Sequence, residues 1–134
     1  NAILSTYDLL AVQPTTEKLF QAACKTYEVD IISLDMGSRL PFYLKQPMVN
    51  LAISRGLYFE ICYGPAIRDQ STRRHLISNA AALIRVTKGK NVIISSEALK
   101  AMEVRGPYDV INLYVLCLPP PPPRAPGMGF DNRN

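Results

Sequence analysis

The sequence predicts an α/β protein whose strands lie parallel in one sheet. Three observations predict it. Four short runs rich in apolar and β-branched residues recur at a spacing of roughly 20 to 35 residues, each followed by a helix or by a loop and then a helix. The runs are apolar on both faces instead of alternating, as strands are when helices cover a parallel sheet. No G-x-G-x-x-G follows the first run and no G-x-x-x-x-G-K-S/T occurs, so nucleotide-binding versions of the open sheet lose their best support. A doubly wound sheet and a β/α barrel both satisfy this pattern. Four units make half of an eight-stranded barrel, and a half barrel leaves two sheet edges open.

The first strand is read in YDLLAV, from Tyr7 to a stop at Gln13-Pro14. Thr15 or Thr16 then caps a helix whose Leu19, Phe20, Ala23 and Tyr27 recur at three- and four-residue spacing on one face. Val29 to Leu34, VDIISL, is the second strand. Leu40 to Tyr43 is apolar but fenced by Pro41 and Pro47, which predicts an irregular loop entering a short helix with Pro47 in its first position. Met48, Leu51 and Ala52 form that helix's buried side. Gly56 stands where a left-handed residue closes it, and Leu57 to Tyr63, LYFEICY, is the third strand.

After a loop, GPAIRD, the longest helix spans about Gln70 to Val86, with Asp69 or Ser71 as its cap. Its apolar stripe is Leu76, Ile77, Ala80, Ala81, Leu83 and Ile84, and Gly89 ends it. Asn91 to Ile94 is the fourth strand, and Pro107 opens a last helix, PYDVINLYVL. From residue 118 the composition shifts to LPPPPPRAPGMGFDNRN, where five consecutive prolines forbid helix and remove donors. Residues 1–117 therefore read as the folded domain and 118–134 as a disordered proline-rich tail, with docking into an aromatic groove as its alternative use.

A chain of 134 residues, 48% hydrophobic and 19% charged, suffices for one core. No apolar run approaches the roughly 18 to 20 residues that cross a bilayer, and the N-terminus lacks a basic region followed by a hydrophobic one, so no membrane partner is expected. Cys24, Cys62 and Cys117 are odd in number and far apart, and read as buried thiols of a reducing, intracellular compartment. The formal charge of +4 is unevenly placed. Residues 68–105 hold eight cations against three acids, and the remainder seven against eight. A localised anion-binding surface has this distribution.

Functional groups of parallel β/α folds gather at the C-terminal ends of strands, which selects Gln13 to Thr16, Tyr63 to Asp69, and Ser95 to Pro107. Arg68 ends the third of the connecting loops, Arg73 and Arg74 lie in the first turns of the long helix, and Arg105 precedes the last helix. At 100° per residue Arg74, Ser78 and Arg85 fall within about 40° of one another, a flank that can follow a phosphate backbone or be an ordinary solvated face. Arg73 lies along the apolar stripe, so its guanidinium must bend toward the loops or pair with Asp69. Lys88 and Lys90 flank a helix C-terminus, where the dipole alone explains lysines. Ser95 can donate to a phosphate. His75 is the only histidine and has two arginine neighbours, and Asp8, Asp30, Asp35 and Glu60 are single carboxylates, so neither catalytic nor metal-binding residues are expected. Glu60, inside an apolar strand, calls for a barrel-lining ion pair.

The runs ILSTYDLLAVQPTTEKLF, LPFYLKQP, SRGLYFEICYGPAIRD with RRHLIS, KGKNVIISS and RGPYDVINL resemble the thirty-kilodalton protein subunit family of nuclear ribonuclease P and ribonuclease MRP. The resemblance covers roughly Ile3 to Leu113 and implies a TIM-like parallel β/α barrel, of which about half is present. It implies a non-catalytic subunit that supports the catalytic RNA in transfer-RNA 5′-end maturation and ribosomal-RNA processing, in the nucleus and nucleolus. Partners would be the ribonuclease P or MRP RNA, precursor tRNA and other protein subunits, with Mg2+ serving the RNA and no cofactor in the protein. Arg68, Arg73, Arg74, Arg85, Lys88, Lys90, Ser95 and Arg105 would then meet RNA or a partner. A protein-interaction scaffold without RNA contact and a metal-dependent phosphoesterase of the related barrel class are the alternatives. Opening on Asn1 and with a proline run in place of the helical continuation the family implies, the chain reads as an incomplete or alternatively ended form.

Overall fold

The structure, a computed structural model, describes residues 3–118. Strands β1 (Ala11–Val12), β2 (Ile31–Ser33), β3 (Tyr58–Cys62) and β4 (Val92–Ser95) form one parallel sheet in the order β1-β2-β3-β4. That order decides between the two architectures compatible with the sequence. A doubly wound sheet reverses its direction of growth at a switch point, whereas here each strand adds beyond the last, as in a barrel. The sheet is not closed, and its strand order is compatible with a partial TIM-like barrel.

The helices α1 (Glu17–Lys25), α2 (Gln46–Ser54), α3 (Gly64–Arg68), α4 (Gln70–Thr87) and α5 (Pro107–Cys117) follow the strands. The register sorts the sheet into two faces. Val12, Ile32, Phe59 and Val92 are aligned partners, and with Ile61 and Ile94 they belong to the core that also contains Phe20, Val49, Ala52, Leu76 and Leu83 from the helices. The opposite row, Ala11, Ile31 and Tyr58 with Ser33, Glu60, Cys62, Ile93 and Ser95, contributes nothing to that core. Strands with apolar residues on both faces therefore have helices over only one of them. Glu60 on the uncovered face has no ion pair among the described residues, contrary to the barrel-lining pair expected of it. Its side chain is only half-buried, so the carboxylate remains accessible to water.

Local chemistry sets the helix ends. Thr16 caps α1 by accepting from Leu19 N–H at 3.3 Å, and Asp69 caps α4 by accepting from Thr72 N–H at 3.0 Å. Pro47 lies in the first turn of α2, and Gly56 follows that helix at φ +83°. At the end of α4 the left-handed position falls on Lys88 (φ 55°), with Gly89 next at 72°.

Several expected details differ. The first strand pairs over Ala11 and Val12 only, because β1 is an edge with a partner on one side, and Tyr7 and Leu9 lie exposed. Leu19, at 41% exposure, and Tyr27 turn outward, while Cys24 joins Phe20 and Ala23 inside. On α2 the buried pair is Val49 and Ala52, with Leu51 outside. The GPAIRD loop is mostly helix α3. Helix α5 ends at Cys117, and the stretch 119–134, with the proline run expected to be a disordered tail, lies outside the described residues.

A candidate nucleic-acid interface

The rim at the C-terminal ends of β3 and β4 is built by a close backbone approach. Tyr63 N–H donates to Ser95 O at 3.0 Å and Gly64 N–H to Ser96 O at 2.8 Å. A Cβ on residue 64 would collide with the Ser96 carbonyl and stand 2.9 Å from that of Glu97, so only glycine admits this seam. The seam fixes where α3 starts, and α3 carries Arg68 to Glu103, an ion pair of 2.9 Å. Glu103 also accepts from Leu99 N–H at 2.9 Å; that bond, with Arg68 beside it, holds its carboxyl below the ordinary value.

Arg73 folds back toward the loops. Its Nε donates to Ala66 O at 3.0 Å, while Asp69 is occupied by Ser71 and Thr72 in the cap of α4 and makes no ion pair with it. Arg105, though exposed, folds back on its own loop, with Nη1 donating to Met102 O at 2.6 Å and its backbone N–H to the Tyr63 hydroxyl at 3.0 Å. Arg73 and Arg105 meet at a cleft of about 420 Å³ between α3, α4 and α5, whose other walls include Ile67, Asp109 and Leu113.

Elsewhere the candidates are separate. Arg74 and Arg85 are exposed on α4, about 16 Å apart by helix rise, and neither guanidinium has a hydrogen bond or ion pair among the described residues. Lys88 and Lys90 follow the C-terminus of α4, next to the start of β4, and are exposed. Ser95 closes β4 at the other end, where its hydroxyl lies 3.3 Å from the Cys62 sulfur on the uncovered sheet face. Cys62 in turn is 3.9 Å from the Ser33 hydroxyl, and burial pushes its thiol up. The eight residues thus form no single constellation. Three cations on the rim are engaged by internal partners, and four lie along α4 and just beyond its C-terminus with open donors.

Sequence reading missed two residues beside that open set. Arg39 and Tyr43, on the loop between β2 and α2, line a groove of about 730 Å³ together with Ser78, Asn79 and Arg85 of α4. Arg39 lies outside the cation-rich segment, so charge counting passed over it. The available signal was period two in RLPFYL, whose Leu40, Phe42 and Leu44 turn in while Arg39, Pro41 and Tyr43 turn out. Among the described residues no three histidine, cysteine, aspartate or glutamate side chains converge as a metal site.

The RNase P subunit p30 family model matches residues 1–119. The chain is similar to ribonuclease P protein subunit p30 of Mus musculus, at 56% identity over 110 residues that cover 82% of this chain and 41% of that protein. It is also similar to the probable ribonuclease P protein subunit 3 of Schizosaccharomyces pombe, at 46% identity over 80% of this chain and 46% of the other. Ribonuclease P/MRP protein subunit RPP1 of Saccharomyces cerevisiae is 32% identical over 83% of this chain and 38% of its own length. The chain thus spans less than half the length of these curated relatives. With that family model matched across the whole parallel β/α unit, and identities of 32 to 56% over four-fifths of its residues, the chain belongs to the RNase P subunit p30 family.

Proposed function

We propose that this chain forms part of a non-catalytic protein subunit of the ribonuclease P and MRP ribonucleoprotein, and that α4 presents its RNA-facing flank. Membership of the family carries the first half of the reading. The open guanidiniums of Arg74 and Arg85 support the second, because they have no internal bond to give up when they turn to phosphates. Lys88 and Lys90 add exposed cations at and just beyond the C-terminus of α4, whereas Arg68, Arg73 and Arg105 serve first to hold the rim together. In this reading the partners are the catalytic RNA, precursor tRNA held through the complex and other protein subunits. Mg2+ belongs to the RNA, and the place of action is the nucleus and nucleolus.

Replacing Arg74 with alanine tests it. Binding of the ribonuclease P RNA, followed by fluorescence anisotropy from low to moderate salt, should weaken, and the salt slope should fall in magnitude by about 0.7 to 0.9, the share of one phosphate contact. Unchanged affinity and slope remove Arg74 from the RNA surface. A second reading has its own support: Tyr108, Ile111 and Val115 expose an apolar flank of α5, which suits a protein neighbour in the complex better than RNA. Crosslinks from residues 68–105 that reach only protein and never RNA would favour that reading over the first.

A further inference from the structure

The groove between the β2–α2 loop and α4 is a built feature, not a gap in packing. Three contacts pin the loop. A Cβ on Gly37 would approach Thr72 Cγ2 of α4 to 2.9 Å, so the backbone lies directly against the helix there. The Asn79 amide donates to Ser38 O at 2.7 Å and Met36 O at 3.2 Å. Phe42 is buried and stacks on Phe20 of α1 with ring centroids 4.9 Å apart. Three residues beyond these anchors set the chemistry. Tyr43, next to buried Phe42, is 86% exposed, so the faces of its ring are open to a stacking partner. Arg39 and Arg85 line the same groove, neither guanidinium has a partner among the described residues, and no carboxylate lines it.

We infer that this groove holds an unpaired stretch of RNA, with a base stacked on Tyr43 and flanking phosphates on Arg39 and Arg85. The inference rests on the RNA-contacting reading of α4 and gives it a strand state. Single strands are bound by aromatic platforms set in cationic grooves, and a base already paired in a duplex has no free face to offer Tyr43. Because the loop is pinned before any ligand arrives, the platform costs little ordering entropy on binding. A duplex lying along Arg74 and Arg85 would need the cations but not the ring. An acidic peptide would satisfy the arginines equally and gain less from an exposed phenol ring.

Fluorescence anisotropy of the full 134-residue chain with a labelled ten-nucleotide oligouridine and with a ten-base-pair RNA duplex separates these cases. Tyr43→Ala should weaken oligouridine binding about tenfold, Tyr43→Phe should keep it within about twofold because the stacking face survives, and duplex binding should change by less than about twofold with either. Arg39→Ala should lower the oligouridine salt slope by about 0.7. Equal oligouridine affinity for Tyr43→Ala and the parent chain, while Arg74→Ala still weakens RNA binding, overturns the groove and leaves the α4 reading standing. Loss of both RNAs only on Arg74→Ala and Lys90→Ala has the same meaning. Absence of any RNA binding at low salt overturns the α4 reading itself. Displacement of oligouridine by polyglutamate at comparable concentration, with the same dependence on Tyr43, assigns the groove to an acidic peptide and overturns the proposal.

Discussion

Asp69 is occupied as a cap, which decides the behaviour of its neighbours. Hydrogen bonds from the Ser71 hydroxyl and from the Thr72 N–H and hydroxyl hold its carboxyl at about 2, against an ordinary 3.8. A carboxyl whose value is depressed in the folded state stabilises it fully above the ordinary value and ceases to do so as pH falls from 3.8 through about 2. Asp69→Asn keeps a capping acceptor but does not titrate. Its melting temperature should therefore lie below that of the parent chain by a constant gap from neutral pH to about pH 5, with the gap closing toward pH 2. A gap that stays constant down to pH 2 would show that charge at the cap contributes nothing. Caps such as Asp69 and Thr16 are legible in sequence because donor and acceptor lie three residues apart. Arg39 and Tyr43 are not, since their meaning depends on Ser78, Asn79 and Arg85 of α4, more than thirty residues away.

At the scale of elements the same distinction recurs between local and long-range terms. Helix α4 follows its expected bounds to within a residue, because a strong apolar period and a capping aspartate agree. Leu19 and Leu51, expected inside, lie on the exposed sides of α1 and α2, next to buried positions where hydrophobicity alone leaves the rotation of the helix open. Arg55 shows how one element is finished by another. Lying just after α2, it donates to Ala23 O at 3.2 Å, Cys24 O at 2.8 Å and Tyr27 O at 2.7 Å, closing the carbonyl end of α1. Charged donors to otherwise unpaired carbonyls contribute about 1.5 to 3 kcal/mol each in favourable sites, but the side chain is partly solvated and the three bonds share one group. Arg55→Ala should thus cost about 2 kcal/mol in all, read as a lower urea midpoint at unchanged m. Arg55→Lys should recover less than half, since an ammonium cannot span three carbonyls as a planar fork does. An alanine variant with the parent midpoint would show that α1 ends without help from these bonds.

For the whole molecule the open question in the sequence was which way the sheet is wound, since barrel and doubly wound sheets share one pattern of strands and helices. Only the pairing order and the one-sided helix layer resolve it, and among the described residues they leave a face with Ile31, Tyr58 and Ile93 uncovered and edges at β1 and β4 unpaired. Adjacent residues then have opposite fates: Phe59 is 0% exposed beneath the helices, while Tyr58, one step along the same strand, is 45% exposed on the other side. Phe59→Ala should cost about 3 to 5 kcal/mol through lost burial and a cavity. Tyr58→Lys should leave stability within about 0.5 kcal/mol. Because uncovered apolar faces and free strand edges drive association, the same lysine should lower self-association of the 134-residue chain. Sedimentation velocity over a concentration series checks the association and urea unfolding checks the stability. If Tyr58→Lys destabilises the chain as much as Phe59→Ala does, that face is buried in solution, and the one-sided sheet is the wrong description of the protein in isolation.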